Sequence, residues 1–248
     1  MEHARHRLGP IGSTVLFYPT IESTNDVAAT LTAEGAVVIA AAQTAGRGRR
    51  GHTWFSPEGS GLYVSLRLIP GRARVDPSRA TRLLTLAAGV ALAEGVLASS
   101  GLVVDLKWPN DLYVSRRKLA GILAEGSDDA VVLGYGINLS PAAYPPELRD
   151  RAASLESELG RPIERAHVLV ETLAALARRY ADLLEGRFDA ILDAWRRQAP
   201  AAVGTRVTWS TSAGPHSGVT AGLDDEGALL VRVDEGVERI VAGEVTWL

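Results

Sequence analysis

Residues 46–51 read Gly-Arg-Gly-Arg-Arg-Gly. Glycines let backbone N–H groups converge, while Arg47, Arg49 and Arg50 add fixed charge and forked donors, so the run can cradle a phosphate or a carboxylate. Crowding three arginines is costly unless an anion relieves them; a solvated, mobile loop is the alternative. The same run satisfies G-x-G-x-x-G, the dinucleotide-binding fingerprint, but fails it on context. No helix opens after the glycines, because Trp54-Phe55-Ser56-Pro57-Glu58-Gly59 leads to a turn and another strand, and the position where an acidic residue is needed holds Gly71.

Three further runs carry polar groups suited to a site. Lys107-Trp108-Pro109-Asn110-Asp111 ends a strand whose alternation sets Val104, Leu106 and Trp108 on one face and Asp105 and Lys107 on the other. A lysine on a largely buried strand needs a partner or a ligand, although Asn110 and Asp111 also suit an ordinary turn. Lys118 precedes Leu119-Ala120-Gly121-Ile122-Leu123; it is either an exposed turn lysine or a site group, and Gly121 leaves room for a ligand or a second backbone. In Gly134-Tyr135-Gly136-Ile137-Asn138-Leu139 the glycines permit close approach and Asn138 can donate and accept, as adenine recognition requires; a bulged strand is the alternative.

The elements that must position these groups form a recognisable order. Residues 14–18 read as a strand, and Ser23-Thr24-Asn25-Asp26 offers caps for a helix to about Ala33. Val37 to Ala42 and the alternating Leu62, Val64, Leu66 and Leu68 give strands on either side of the arginine run. Residues 79–98 make one long helix. Val103 to Trp108, Leu112 to Ser115, Leu119 to Glu125 and Val131 to Leu139 follow as strands, the first three an antiparallel meander by their short turns, and Pro141 to Pro146 as a loop. Two amphipathic helices meet near Gly186 and cover one face of the sheet, and after Pro200 five short β runs suggest a small barrel. The fold class is therefore α+β, a mixed or antiparallel sheet with flanking helices, with domains at residues 1–199 and 200–248.

Composition narrows the chemistry. In 248 residues, 46% hydrophobic and 22% charged, there is core enough for one large unit and a small one. A net charge of −3 gives no general attraction to nucleic acid or anionic membrane, so a cationic site must be local. Without cysteine there is no disulfide, thiolate metal site or cysteine nucleophile. No signal-like or membrane-length apolar run is evident, so the protein is expected to be soluble and cytoplasmic.

In order along the chain, Ser23-Thr24-Asn25, Gln43-Thr44-Ala45 with the arginine run, Trp54, Lys107 to Asp111, Lys118 to Leu123 and Gly134 to Asn138 resemble the catalytic module of biotin protein ligases. The resemblance implies a class II synthetase-like catalytic domain and an SH3-like C-terminal barrel. It also implies ATP-dependent formation of biotinyl-5′-AMP, with ATP as its Mg²⁺ complex and no metal site of the protein's own. By similarity Ser23, Thr24, Asn25 and Gln43 hydrogen-bond the ureido head, Gly46, Arg47, Gly48 and Arg49 wrap the tail and carboxylate, and Trp54, Lys118 and Gly121 lie against the ligand. Arg49, Arg50, Asn110, Lys118 and Asn138 hold ATP or the adenylate. Lys118, Arg49 and Asp111 are the implied catalytic groups, Asp111 helping to deprotonate the acceptor lysine. The implied partner is the biotin carboxyl carrier domain of acetyl-CoA carboxylase, with no DNA and no membrane; pairing into a homodimer stays open.

Three departures bear on the likeness. His52 stands where many relatives have Arg or Lys, which makes the outer cation of the cradle pH-dependent or absent. The family's adenine-covering aromatic is not recognisable between Ser140 and Arg161. Only about a dozen residues precede the first strand, so the monofunctional type, without a DNA-binding winged helix, is expected. A lipoate or octanoate ligase of the same fold and a non-catalytic biotin-binding module are the rival readings; the arginine run favours biotin over the first, and retention of Lys118, Asp111 and three arginines argues against the second.

Overall fold

The computed structural model describes residues 5–127, 129–141, 144–211 and 214–248. A seven-stranded sheet is built from β1 (Val15–Ile21), β2 (Val37–Gln43), β3 (Gly61–Leu68), β4 (Asp105–Lys107), β5 (Asp111–Val114), β6 (Arg117–Ser127) and β7 (Ala130–Asn138), in the order β1-β2-β3-β7-β6-β5-β4. Only β1 and β2 run parallel; every other pair is antiparallel, including the expected meander β4-β5-β6. The β5-β6 turn is Ser115-Arg116, both left-handed, as two-residue hairpins favour, one position earlier than the basic run suggests.

Helices α1 (Arg5–Leu8), α2 (Thr24–Thr30), α3 (Pro77–Ser100), α4 (Pro146–Arg149), α5 (Leu155–Leu159), α6 (Arg165–Leu184) and α7 (Phe188–Gln198) surround it. α3 starts on an Asp76 cap that accepts from the Arg79 N–H and stops at Gly101 in the left-handed region. It is long and apolar enough to cross a bilayer, but 72% of its most apolar stretch is buried inside the protein. It is the core helix, packed between the sheet and α6. α2 is shorter than the sequence suggests: Leu31 turns extended and packs beside Val27 and Tyr18 over a small cluster of Ala28, Val38 and Val132. Ser23 occupies the N-cap position without a side-chain cap bond; the Thr24 N–H is taken instead by Gln43 Oε1 at 2.8 Å.

Alternation in β3 predicts a half-buried strand, yet all eight of its residues are buried. The reason is that α2 packs on the strand, and the loop between β2 and β3 meets Tyr63, whose hydroxyl donates to the Pro57 carbonyl at 3.0 Å. Residues with polar side chains, Ser65 and Arg67 among them, are therefore enclosed on the second face. The expected loop over 141–146 includes residues 142 and 143, which lie outside the described residues; α4 begins at its end.

The last part of the chain forms β8 (Val203–Thr211), β9 (Gly214–Leu223), β10 (Leu229–Val233), β11 (Gly236–Ile240) and β12 (Val245–Trp247), an antiparallel sheet in the order β11-β10-β9-β8-β12. One hydrophobic cluster runs from Leu8 through α3 to Val207, Trp209, Val231 and Val245, so both sheets share a core. Trp108 Nε1 donates to the Gly227 carbonyl at 3.0 Å and fixes the end of β4 against the second sheet.

Candidate functional site

Sheet register places the chemistry. Tyr63, Gly136, Gly121, Asp111 and Lys107 are partners in turn across β3, β7, β6, β5 and β4, and cross-strand partners share a face. Along this row, two bare glycines lie beside a carboxylate and a lysine. The ring of Trp54 lies on the bare patch: a Cβ on Gly136 would sit 2.2 Å from Trp54 Nε1, and one on Gly121 3.0 Å from Cζ3. What approaches Gly121 is this side chain and the end of Lys118, not a second backbone. One row along, Gly134 gives the same room to Asn25, whose Oδ1 lies 2.1 Å from where a Cβ would be.

The glycine-arginine loop closes on itself instead of converging its N–H groups on open space. Gly48 N–H donates to the His52 carbonyl at 2.7 Å and Trp54 N–H to Gly46 at 2.9 Å, with Arg47 and Thr53 bridged. Arg50 and Gly51 make the turn in the left-handed region. The charge offered to a ligand is therefore carried by side chains.

Ser23, Thr24, Asn25, Gln43, Arg47, Gly48, Arg49, Arg50, Trp54, Asn110, Asp111, Lys118, Gly121 and Asn138 all line one cleft of about 300 Å³. Of the sequence-predicted residues, Gly46 alone does not; it is buried against the Trp54 carbonyl and the Ser56 hydroxyl, where a Cβ would come within 2.5 and 2.6 Å. Lys118 Nζ lies 2.7 Å from Asp111 Oδ1. That contact is an ion pair not aligned as a hydrogen bond, so the buried Oδ1 keeps capacity for a donor. Arg49 donates to Asn110 Oδ1 at 3.2 Å and to the Gly243 carbonyl at 3.1 Å, spanning the two sheets. Burial holds its guanidinium below the ordinary value, and Asp111 opposes that fall.

Asn110 Nδ2 donates to the Ile122 carbonyl at 2.7 Å, locking the turn that carries Asp111. Asn138 is buried, and its amide donates to the carbonyls of Ala153 at 2.9 Å and Lys118 at 3.4 Å. Both contacts use its donor group, so Asn138 ties residues 151–153 alongside Lys118 at the cleft wall. Lys118 N–H reinforces this by donating to Arg151 at 2.7 Å.

Several cleft residues carry no signal in the local sequence. Tyr144 lines the cleft beside Phe55, ring centroids 6.0 Å apart, within the segment where no covering aromatic is recognisable from the sequence. It stands within the proline-rich stretch 141–146, whose sequence has no periodicity. Arg151, Gly243 and Glu244 also line the cleft, and the last two come from the connection between β11 and β12, far along the chain. His52 faces Glu244 at 3.9 Å on the exposed rim. Lys107, on the face its alternation predicts, is held over the rings of Tyr113 at 5.0 Å and Trp247 at 4.8 Å. Burial lowers its pKa, opposed by Asp111, and pushes that of Tyr113 up to about 12.

Comparison with known proteins gives a consistent result along the chain. Residues 17–140 match the model of the biotin/lipoate A/B protein ligase family, and residues 204–246 that of the biotin protein ligase C terminal domain. The bifunctional ligase/repressor BirA of Bacillus subtilis (strain 168) is 36% identical over 246 residues, covering 95% of this chain and 74% of the relative. A biotin–[acetyl-CoA-carboxylase] ligase of Paracoccus denitrificans is 33% identical, covering 84% of this chain and 88% of the relative. A biotin protein ligase from Aquifex aeolicus, solved in complex with biotin and ATP, superposes with a TM-score of 0.84 at 29% identity, over 95% of this chain and 99% of the other.

Proposed function

Since this chain belongs to the biotin/lipoate A/B protein ligase family, we propose how its cleft forms biotinyl-5′-AMP and passes the acyl group on. The protein is an ATP-dependent biotin protein ligase, with biotin and ATP, as its magnesium complex, for substrates. The observation that carries the assignment of roles is the convergence of Lys118, Arg49 and Asp111, from three separate elements, on the cleft wall beside a polar pocket made by Ser23, Thr24, Asn25 and Gln43.

In the first step a biotin carboxylate oxygen attacks the α-phosphorus of ATP, forming the mixed anhydride while the bond to the β-phosphate oxygen breaks and pyrophosphate leaves. Both reactants are anionic, so Lys118 and Arg49, with Arg50 at the edge, offset their repulsion as charge develops. The head of biotin is held by Ser23, Thr24, Asn25 and Gln43, whose polar groups penalise an analogue that leaves them unpaired. Arg47, Gly48, Trp54 and Gly121 enclose the tail, and Gly46 serves by packing the loop. Asn110 and Asn138 line the adenylate, and Tyr144 with Phe55 supplies an aromatic wall for adenine.

In the second step the acceptor lysine amine attacks the acyl carbon, AMP departs, and the amine's proton passes to a base. Asp111 suits that task because its carboxylate lines the cleft beside Lys118, within reach of an amine that enters there. The carrier domain of acetyl-CoA carboxylase is the acceptor we assign, and the cytoplasm, which fits a chain without cysteine, the compartment. Residues 1–199 form the catalytic unit and 200–248 a smaller β unit that lends Gly243 and Glu244 to the rim.

The expected result is exchange of labelled pyrophosphate into ATP that requires biotin. Exchange supported by lipoate but not biotin, or by no acid, overturns the reading.

A further inference from the structure

Both ends of the glycine-arginine loop are tied to one chain of hydrogen bonds running through the polar pocket. At the far end, the Ser56 hydroxyl donates to the Trp54 carbonyl at 2.9 Å and accepts from Gln43 Nε2 at 3.0 Å. Gln43 Oε1 accepts from the Thr24 N–H at 2.8 Å. The fully buried Ser65 hydroxyl stands next in line, 2.7 Å from Thr24 Oγ1 and 2.6 Å from Asn25 Oδ1. Asn25 Nδ2 then donates to Glu125 Oε2 at 2.6 Å, and that same oxygen faces Arg47 Nη2 at 3.0 Å. Asp26 completes the clamp on Arg47 at 2.7 Å.

We propose that Glu125 is a positioning residue for the head pocket, one that orients the Asn25 amide and tethers Arg47 of the loop through the same carboxylate oxygen. This rests on the reading of the cleft as the biotin site. An ionised carboxylate only accepts, so Glu125 obliges Asn25 to turn its amide nitrogen outward and its oxygen to Ser65. That leaves one Asn25 N–H with a fixed direction for an acceptor on the ligand. The partly buried Asn25 bond to a charged acceptor is the strong link, and the Asp26 contact the weak one, since Asp26 and Arg47 are 53% and 42% exposed. Glu125 itself does not line the cleft, so it acts through Asn25 and Arg47.

Biotin-dependent exchange by the unaltered protein is measured first and tests the reading of the cleft on its own. Glu125→Ala is then expected to raise the KM for biotin about thirtyfold and Glu125→Gln about fivefold, with kcat for exchange within about twofold. Arg47→Gln raises KM on its own, since Arg47 also lines the cleft, but the double variant with Glu125→Gln raises it by clearly less than the product of the two single effects, because the link they share is broken only once. Trypsin cuts at residues 47–50 faster in Glu125→Gln than in the parent at saturating biotin. An unchanged KM, a fall in kcat at unchanged KM, or Arg47 and Glu125 effects that multiply would each overturn the role of Glu125, even where the parent exchanges with biotin as expected.

Discussion

Replacing Lys118 by alanine lowers the rate of biotinyl-5′-AMP formation by roughly a hundred- to a thousandfold, the scale on which removing one preorganised charge at a reacting centre acts. Lys118 is the second residue of β6, paired with Tyr113 of β5 and ion-paired with Asp111, and residues 151–153 hold its backbone in place on the other side through two hydrogen bonds. Its position is thus fixed before substrates arrive, so little reorganisation is left to the moment of reaction. The same substitution removes the cation next to a largely buried carboxylate, since Asp111 is 17% exposed and its Oδ1 has no aligned donor among the described residues. Stability should therefore fall by about 1–2 kcal/mol as well. Combining Lys118→Ala with Asp111→Asn separates the two effects. The double variant regains most of the stability, read by denaturant unfolding, and none of the rate, read by pyrophosphate exchange. Recovery of rate with stability would mean that Lys118 serves the fold and not the reaction.

How far the sequence reaches depends on whether a residue's partners are local. The meander β4-β5-β6 and the helix α3 were legible because alternation, short turns and helical spacing are set within a dozen residues. The placement of Asp105 and Lys107 opposite Leu106 and Trp108 followed from the same period. β3 was misread as half-buried because what packs on it, α2 and the loop between β2 and β3, acts at the level of tertiary structure and leaves no mark on β3 itself. In the site, motif order marked residues that line the cleft, and the structure gives three of the marked residues a packing role that the sequence did not display. Gly46 packs the loop, Asn138 commits its donors to the backbone, and Gly121 makes room for Trp54. Tyr144, Gly243 and Glu244 stayed hidden, since only the closed tertiary structure brings them to the rim. Spacing names groups that can meet a ligand; it does not tell a ligand from a neighbouring side chain as the thing a glycine admits.

That distinction makes Gly136 the most informative glycine to change. A Cβ there would stand 2.2 Å from Trp54 Nε1 and 2.5 Å from Cε2, inside a rigid ring that cannot fold away as a flexible chain end does. The ring is confined by the loop closure of Trp54 N–H on Gly46 and by the Ser56 bond to the Trp54 carbonyl. Gly136→Ala must therefore lift the indole into the cleft or push β7 back. Overpacking of this kind costs about 2–3 kcal/mol, so the KM for biotin should rise about thirty- to a hundred-and-fiftyfold if the displaced ring takes the ligand's place. Gly121→Ala is the milder neighbour, because its closest contacts are Trp54 Cζ3 at 3.0 Å and the movable end of Lys118 at 3.2 Å; an increase in KM below about fivefold is expected there. Gly126 lies on the same strand as Gly121 with nothing within 4 Å, and Gly126→Ala should leave KM unchanged. Saturation curves for biotin in pyrophosphate exchange rank the three variants. If Gly121→Ala proves worse than Gly136→Ala, the ring does not rest on the bare patch when biotin is bound, and Trp54 must move away from β7 as part of binding.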